Sequence, residues 1–283
     1  MAKYVPDINT KRWVIIATAR TKRPDDSTAK QTTGCPFCQG NERATPPEVY
    51  RVGPGEKDGA GWEVRVVPNL YPVTDVHEVI IHSPDHEKDI EDLPAVQVTK
   101  ILTVYRDRFR AHEKNGQVMI FCNHGFHAGA SLAHPHSQLV VVPKQINLDA
   151  LEREPIANVV EENTRFITYC PDFSQWPYEV WIAPKENSGL FGETQDAELP
   201  DLASVLQKAL LRVRGIYSQG ALKQVMGESF VYNFYLYHGT NWFIRIVPRL
   251  IHRAGFELGT GLNVNIVDPT QAAQKLKEVK LGV

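Results

Sequence analysis

Long hydrophobic runs are missing from this chain of 283 residues. No stretch approaches the roughly 18 consecutive apolar residues that a membrane-spanning helix requires. Residues Met1 to Trp13 lack the basic and then apolar pattern of a signal peptide, so the expectation is a cytoplasmic protein with no membrane partner. A charge excess of one sign is also missing: 31 Lys and Arg stand against 33 Asp and Glu, a net charge of −2. That balance leaves no basic footprint for nucleic acid. Cysteine is scarce, with only 4 in the chain, which is too few for a disulfide scaffold at this size. Two of them, Cys35 and Cys38, form a C-x-x-C pair, which favours a reducing compartment. No long Pro/Gly/Ser run or low-complexity segment divides the chain, and its 42% hydrophobic content suits a packed core.

What is concentrated is histidine. Of the 10 in the chain, His77, His82, His86, His112, His124, His127, His134 and His136 all fall between residues 77 and 136.

The residue pattern also repeats. In the first half, a strand-like run from Glu78 to His82 precedes an amphipathic helix with Val96, Leu102, Tyr105 and Phe109 on its apolar face. Lys100, Arg106, Asp107 and Arg110 make the polar face. Strands over Gln117–Cys122 and Ser137–Val142 follow, the second closed by Pro143. The second half has the same order: a strand over Glu179–Ala183, then a helix with Leu199, Leu202, Val205, Leu206, Leu210 and Val213 on one side. Strands over Phe230–Tyr237 and Trp242–Val247 complete it, closed by Pro248. Two copies of strand–helix–strand–strand predict an α+β fold, antiparallel sheets with packed helices. A two-fold repeat is too short for a solenoid and reads as duplication, with coincidence between two ordinary segments as the alternative. Arg51–Gly61 reads as an exposed loop.

Several of these residues carry chemistry. His134-Pro-His136-Ser-Gln138 runs into Leu139–Val142, and on a strand residues i, i+2 and i+4 share a face. His134, His136 and Gln138 are therefore expected to point one way, preceded by the small-residue stretch from His124 to Ser131, where backbone amides can approach an anion. Cys35 and Cys38 have the spacing of a zinc knuckle. No second C-x-x-C exists, so the other ligands must be histidines; a redox pair or two unliganded thiols is the alternative. Cys122 and Cys170 read as buried small apolar residues. Arg20 and Arg23 form a pair able to grip phosphate, or else a solvated face. Asn69, after the strand Val64–Val67, offers a turn amide to a base or ribose.

Together these segments resemble the galactose-1-phosphate uridylyltransferases, the transferase branch of the histidine-triad superfamily. The resemblance runs from Asp7-Ile-Asn-Thr10, Trp13-Val-Ile-Ile-Ala17 and Arg20-x-x-Arg23-Pro24 through the Cys35/Cys38 knuckle. It continues through Val64-Arg-Val-Val-Pro-Asn69 and Ser83-Pro-Asp-His86. It is most specific at Asn123-x-Gly125, Gly129-x-Ser131 and His134-Pro-His136-x-Gln138. Trp176-Pro-Tyr-Glu179, Pro184-Lys185 and Gly255-Phe-Glu257 carry it through the second half, so it covers nearly the whole chain.

The resemblance implies one compact unit of two tandem histidine-triad-like repeats, about 1–150 (catalytic and zinc-binding) and 151–283 (sugar side). It implies one structural Zn²⁺ held by Cys35, Cys38, His86 and His134. It implies His136 as the nucleophile that attacks the α-phosphorus of UDP-hexose, expels hexose-1-phosphate and holds UMP until a second hexose-1-phosphate takes it. A neutral imidazole is nucleophilic near pH 7, and its N-phosphoryl adduct is a good leaving group. Gln138 stands where the hydrolase branch has a third histidine; an amide holds a phosphoryl oxygen and does not titrate, which suits transfer. Ser131 and Asn123 match phosphate contacts, Arg20 and Arg23 the arginines near the phosphates, Asn69 a nucleoside contact and Glu257 an acid that binds hexose hydroxyls. The resemblance also implies a homodimer.

The sequence departs from that family's pattern in three places. Asn241–Pro248 has no H-x-H pair, so a second metal site seen in some relatives is expected to be absent. Ala130 stands where a cysteine is frequent. The segment Leu258-Gly-Thr-Gly261-Leu-Asn263-Val-Asn265 resembles nucleotide-sugar phosphorylases, for example on ADP-glucose. The alternative activity is therefore phosphorolysis with inorganic phosphate, and a third reading is a nucleotide-binding module without turnover.

Overall fold

The structure, a computed structural model, describes residues 2–7, 12–22, 34–148, 151–186, 188–218 and 230–281. Two short strands, β1 (Lys3–Pro6) and β2 (Trp13–Ile16), pair with each other apart from the main sheet. The main sheet has ten antiparallel strands. These are β3 (Tyr50–Val52), β4 (Val64–Pro68), β5 (His77–Ile81), β6 (Gln117–His124), β7 (His136–Val142), β8 (Val159–Glu162), β9 (Phe166–Tyr169), β10 (Val180–Pro184), β11 (Tyr232–Leu236) and β12 (Ile244–Pro248). Their order is β3-β4-β5-β7-β6-β11-β12-β10-β9-β8. Outward from the β6–β11 pair, both directions run through the next strand in sequence, then the strand before the helix, then two further strands. The α+β antiparallel plan is thus present as one continuous sheet.

Helices α1 (Ala95–His112) and α2 (Leu199–Tyr217) lie on one face of this sheet and pack on each other. Neither has glycine or proline in its middle except Gly215 near the end of α2, and apolar residues recur every three to four positions. All six residues expected on the inner side of α2 are buried. In α1, Leu102, Tyr105 and Phe109 are buried as expected, with two departures. Val96 is 65% exposed, while Arg106 is buried because Asp107, Asp196 and the Thr194 carbonyl pair with its guanidinium. Two further helices, α3 (Gly255–Thr260) and α4 (Pro269–Glu278), close the chain, and α4 packs on α2 and β8.

Alternation along the strands sends Ser137, Leu139 and Val141 of β7 toward the helices and His136, Gln138 and Val140 to the opposite face. On β5 the same rule sends Ile80 toward α1 and His77, Val79 and Ile81 away from it. The opposite face is covered near β4 and β5 by the knuckle segment, where Cys35, Phe37, Trp62, Val67, Val79 and Ile81 form a small second core. Over β9 and β10 a matching cluster of Tyr169, Trp181, Ala183 and Phe243 does the same.

Two expectations are corrected here. The segment Arg51–Gly61 is not wholly loop, because Tyr50–Val52 pair with β4 as the edge strand. The strands expected over Phe230–Tyr237 and Trp242–Val247 are shorter or shifted, to Tyr232–Leu236 and Ile244–Pro248. The boundary expected near residue 150 falls at 149–150, outside the described residues.

Candidate active site

β7 is an inner strand with β5 on one side and β6 on the other. Its first residue, His136, pairs with Ile81, and Gln138 with Val79 and Phe121. His134 was expected on the same strand face as these two. It instead precedes β7, and its ring turns to the cysteine pair. Pro135 stands between the two histidines, and its carbonyl accepts the His82 amide hydrogen.

Cys35, Cys38, His86 and His134 converge, with one donor atom from each lying within 4.8 Å of all the others. Cys38 Sγ is 3.2 Å from His86 Nδ1 and 3.6 Å from His134 Nδ1, and Cys35 Sγ is 3.9 Å from the latter. A tetrahedral ion with bonds of about 2.0–2.3 Å sets its ligand atoms about 3.3–3.8 Å apart, so the four atoms fit one metal ion. His134 Nε2 donates to the Ser83 carbonyl at 2.9 Å, which fixes Nδ1 as the ligating nitrogen. Burial pulls His134 down to about 4, so the ring is neutral and ready to ligate. Burial, then the neighbouring Cys35, pushes the Cys38 thiol up to about 11 in the absence of metal.

His136 is buried, and its Nδ1 lies 2.8 Å from the His134 carbonyl oxygen. A carbonyl only accepts, so Nδ1 carries the proton and the lone pair of the neutral ring is on Nε2. His136 lines two cavities. One, about 300 Å³, holds His136, Gln138, Ser131 and Asn69 among Phe37, Val67, Leu70, Tyr71 and Val79. Phe37, between the two knuckle cysteines, meets the His136 ring edge-on with centroids 5.2 Å apart. The second, about 630 Å³, brings His136 together with Asn123, His124, His127, Asp89, Glu91 and Arg214.

The other residues singled out by sequence are distributed as follows. Arg20 Nη1 donates to the Tyr71 carbonyl at 2.8 Å, which brings it to the turn at the rim of the smaller cavity. Arg23 lies outside the described residues. Asn69 Oδ1 accepts the Tyr71 amide at 2.8 Å, closing that turn. Asn123, near the end of β6, accepts from Asn233 Nδ2 at 2.8 Å and lines the larger cavity only. The loop from β6 to β7 turns on Gly125 (φ 85°) and Gly129 (φ 87°), and a Cβ at Gly125 would stand 3.0 Å from Val231. Glu257 is not brought to His136. Its carboxylate accepts the Ala254 amide at the start of α3, and it lines a separate cavity of about 800 Å³ with Arg12, Trp13 and Arg253.

The sequence assigns no chemical role to His77, His82 and His112, and the expectation for them is ordinary hydrogen bonding. His112 meets that expectation through Glu78, which also binds Arg108. His82 does so through Ser137 Oγ (2.8 Å) and Tyr105 Oη (3.1 Å), and burial holds it well below its ordinary value. His77 differs, because its Nε2 is 2.9 Å from Gln138 Oε1. His124 pairs with Asp89 at 2.9 Å; burial opposes its charge, yet Asp89 and Glu91 outweigh that and raise it. No described helix is long and apolar enough to cross a membrane.

Comparison with known proteins follows the same lines. The pattern of the galactose-1-phosphate uridyl transferase N-terminal domain matches residues 70–142. The ADP-glucose phosphorylase of Arabidopsis thaliana is 30% identical over 96% of this chain and 91% of its own length. The galactose-1-phosphate uridylyltransferase of Thermotoga maritima is 27% identical over 97% of both. A crystal structure of an ADP-glucose phosphorylase from Arabidopsis thaliana with bound ADP-glucose superposes with a TM-score of 0.75 at 27% identity, covering 99% of this chain and 100% of that one.

Proposed function

The chain belongs to the galactose-1-phosphate uridylyltransferase family, and from that premise we propose that it transfers UMP between UDP-hexose and hexose-1-phosphate through a covalent adduct on His136. The observation that carries this reading is the His136 ring itself, with Nδ1–H on the His134 carbonyl and its basic nitrogen at the wall between two cavities.

In the first step Nε2 attacks the α-phosphorus, the Pα–N bond forms, and the bond from Pα to the bridging oxygen breaks. Hexose-1-phosphate leaves with that electron pair, so no proton has to reach it. The Nδ1 proton stays on the ring, and the His134 carbonyl stabilises the imidazolium that results. In the second step another hexose-1-phosphate attacks the same phosphorus and the ring leaves neutral. The Gln138 amide and the Ser131 hydroxyl hold phosphoryl oxygens as charge develops on them. Arg20 and Arg23 serve the phosphates, Asn123 the phosphate on the larger-cavity side, and Asn69 the nucleoside, whose base takes the apolar end against Leu70 and Tyr71.

Cys35, Cys38, His86 and His134 would hold one structural zinc, which supplies a cross-link between the knuckle and the strand that carries the nucleophile. Glu257 serves the hexose from a second copy of the chain; among the described residues, the cavity it lines is separate from the two that His136 lines. The exposed apolar residues Trp13, Val14, Ile15 and Ile16 and the neighbouring Leu258 and Leu262 support such a homodimer.

Two features favour a second reading. The segment Leu258–Asn265 and the 30% identity to an ADP-glucose phosphorylase fit the same adduct discharged by inorganic phosphate. A panel of UDP- and ADP-hexoses against galactose-1-phosphate and phosphate decides between them. Exchange that requires hexose-1-phosphate supports transfer. Release of a nucleoside diphosphate that requires phosphate supports phosphorolysis, and turnover with neither contradicts both.

A further inference from the structure

His77 is on β5, outside the His134–Gln138 segment, and its ring reaches the β7 strand diagonally. In the register His77 opposes Val140 and Val79 opposes Gln138, so His77 and Gln138 share a sheet face one diagonal apart. Two contacts fix the ring's hydrogen. The Val73 backbone N–H lies 3.1 Å from Nδ1, and an amide N–H only donates, so Nδ1 accepts and Nε2 carries the proton in the neutral ring. Nε2–H then points at Gln138 Oε1, 2.9 Å away. Asn69 settles in the same sense. Its Oδ1 accepts the Tyr71 amide at 2.8 Å, so its Nδ2 is the donor end, and it too faces Gln138 Oε1 at 3.5 Å. The 3.2 Å approach between Asn69 Nδ2 and His77 Nε2 is two donors converging on one oxygen.

We propose that His77 is a positioning residue that holds the Gln138 side chain with its carbonyl inward, so that the amide N–H₂ is the end presented to the phosphoryl group in the cavity. A glutamine amide is two-faced: turned over, the same side chain offers a carbonyl oxygen to a phosphoryl oxygen and repels it. The backbone amide of Val73 sets which face is shown, through His77. Val73 follows the Leu70–Tyr71 turn that lines the nucleotide cavity, so the loop that receives the nucleotide also orients the donor. This inference rests on the reading of His136 and Gln138 as the groups that act on the α-phosphate.

The test is single-turnover formation of the His136 adduct from UDP-glucose, with the Km for UDP-glucose measured alongside. The proteins are His77→Phe, His77→Leu, His77→Gln, Gln138→Ala and His77→Phe/Gln138→Ala, each checked for zinc content and thermal melting. Two apolar replacements are used so that a folding defect in one leaves the comparison intact. Losing a donor aimed at developing phosphoryl charge costs on the order of 10²-fold in rate. His77→Phe and His77→Leu are expected to slow adduct formation by about 10- to 100-fold with little change in Km. His77→Gln, which returns an N–H near the position of Nε2, recovers most of the rate. In the Gln138→Ala background His77→Phe costs nothing further. Equal losses in both backgrounds, a rise in Km alone, or no loss from the apolar variants would overturn the role of His77. Wild-type protein that turns over without an adduct overturns the His136 reading, and this one with it.

Discussion

Two histidines separated by one proline are proposed to divide the work between a metal and a substrate. His134 gives its side chain to the cysteine cluster and its carbonyl to His136, so the candidate metal site and the proposed nucleophile share one stretch of backbone. Replacing His136 with glycine is expected to lower turnover by at least about four orders of magnitude, since removing a nucleophile leaves only binding and electrostatics. Zinc content and the melting temperature should stay near wild type in that variant. The metal cluster carries its own pH dependence. The Cys38 thiol of metal-free protein stands at about 11, whereas the ligand is the thiolate, so uptake at neutral pH displaces its proton. Apparent zinc affinity is therefore expected to rise by about tenfold for each proton displaced per pH unit between pH 6 and 8. Competition with a chelator of known affinity across that range measures it. His134, His136 and Gln138 were legible because they alternate within one short stretch of sequence, although His134 precedes the strand and turns to the cysteines. His77 was not, because its reach to Gln138 depends on the pairing of β5 with β7, and the residue pattern of neither strand states that register.

Helix α1, helix α2 and the inner strands follow from hydrophobic period, and the elements that were missed are those with weak periods. β8 and β9 are four residues each and β8 is half polar, so packing on α2 and α4, rather than alternation, makes them strands. Arg106 shows the same limit on a helix, since its acidic and carbonyl partners come from residues 194 and 196. The segment entering α1 also holds a buried acid. Burial first, and then Asp89, raises the Glu91 carboxyl from 4.5 to about 7. Between those two values the folded chain keeps a proton that the unfolded chain has released, so stability falls as pH rises through the window. Above it the penalty is complete, on the order of 3 kcal/mol. Glu91→Gln, neutral at every pH, is therefore expected to melt several degrees above wild type at pH 8 and close to it near pH 4.5. Thermal denaturation at the two pH values checks both the sign and the window.

At the scale of the molecule, one sheet carries helices on one face and the candidate metal cluster and active-site cavities on the other. The knuckle and its small core cover the far side of β4 and β5, and His136 opens onto cavities at the strand ends. The division into repeats of about 1–150 and 151–283 is our proposal for why the strand order reads alike outward from the β6–β11 pair. Sequence pattern conveyed that order of elements; it did not convey that both halves join in a single sheet, because the β6–β11 pairing links residues over 100 positions apart. The isolated β1–β2 ribbon exposes Val14 and Ile16, and a second copy is proposed to cover it. Wild type is expected to sediment as a dimer and Val14→Asp/Ile16→Asp as a monomer. The same variant is expected to lose hexose-dependent turnover, because Glu257 would no longer reach a neighbouring site.

The central claim is a nucleotidyl group held on His136, and intact-protein mass spectrometry reads it directly. Zinc-loaded protein incubated with UDP-glucose and no acceptor is expected to gain about 306 Da, and about 329 Da with ADP-glucose if that is the donor. The added mass should map to His136 and disappear on addition of the true acceptor. Unmodified mass in a preparation that turns over, or an adduct that persists in His136→Gly, contradicts the account.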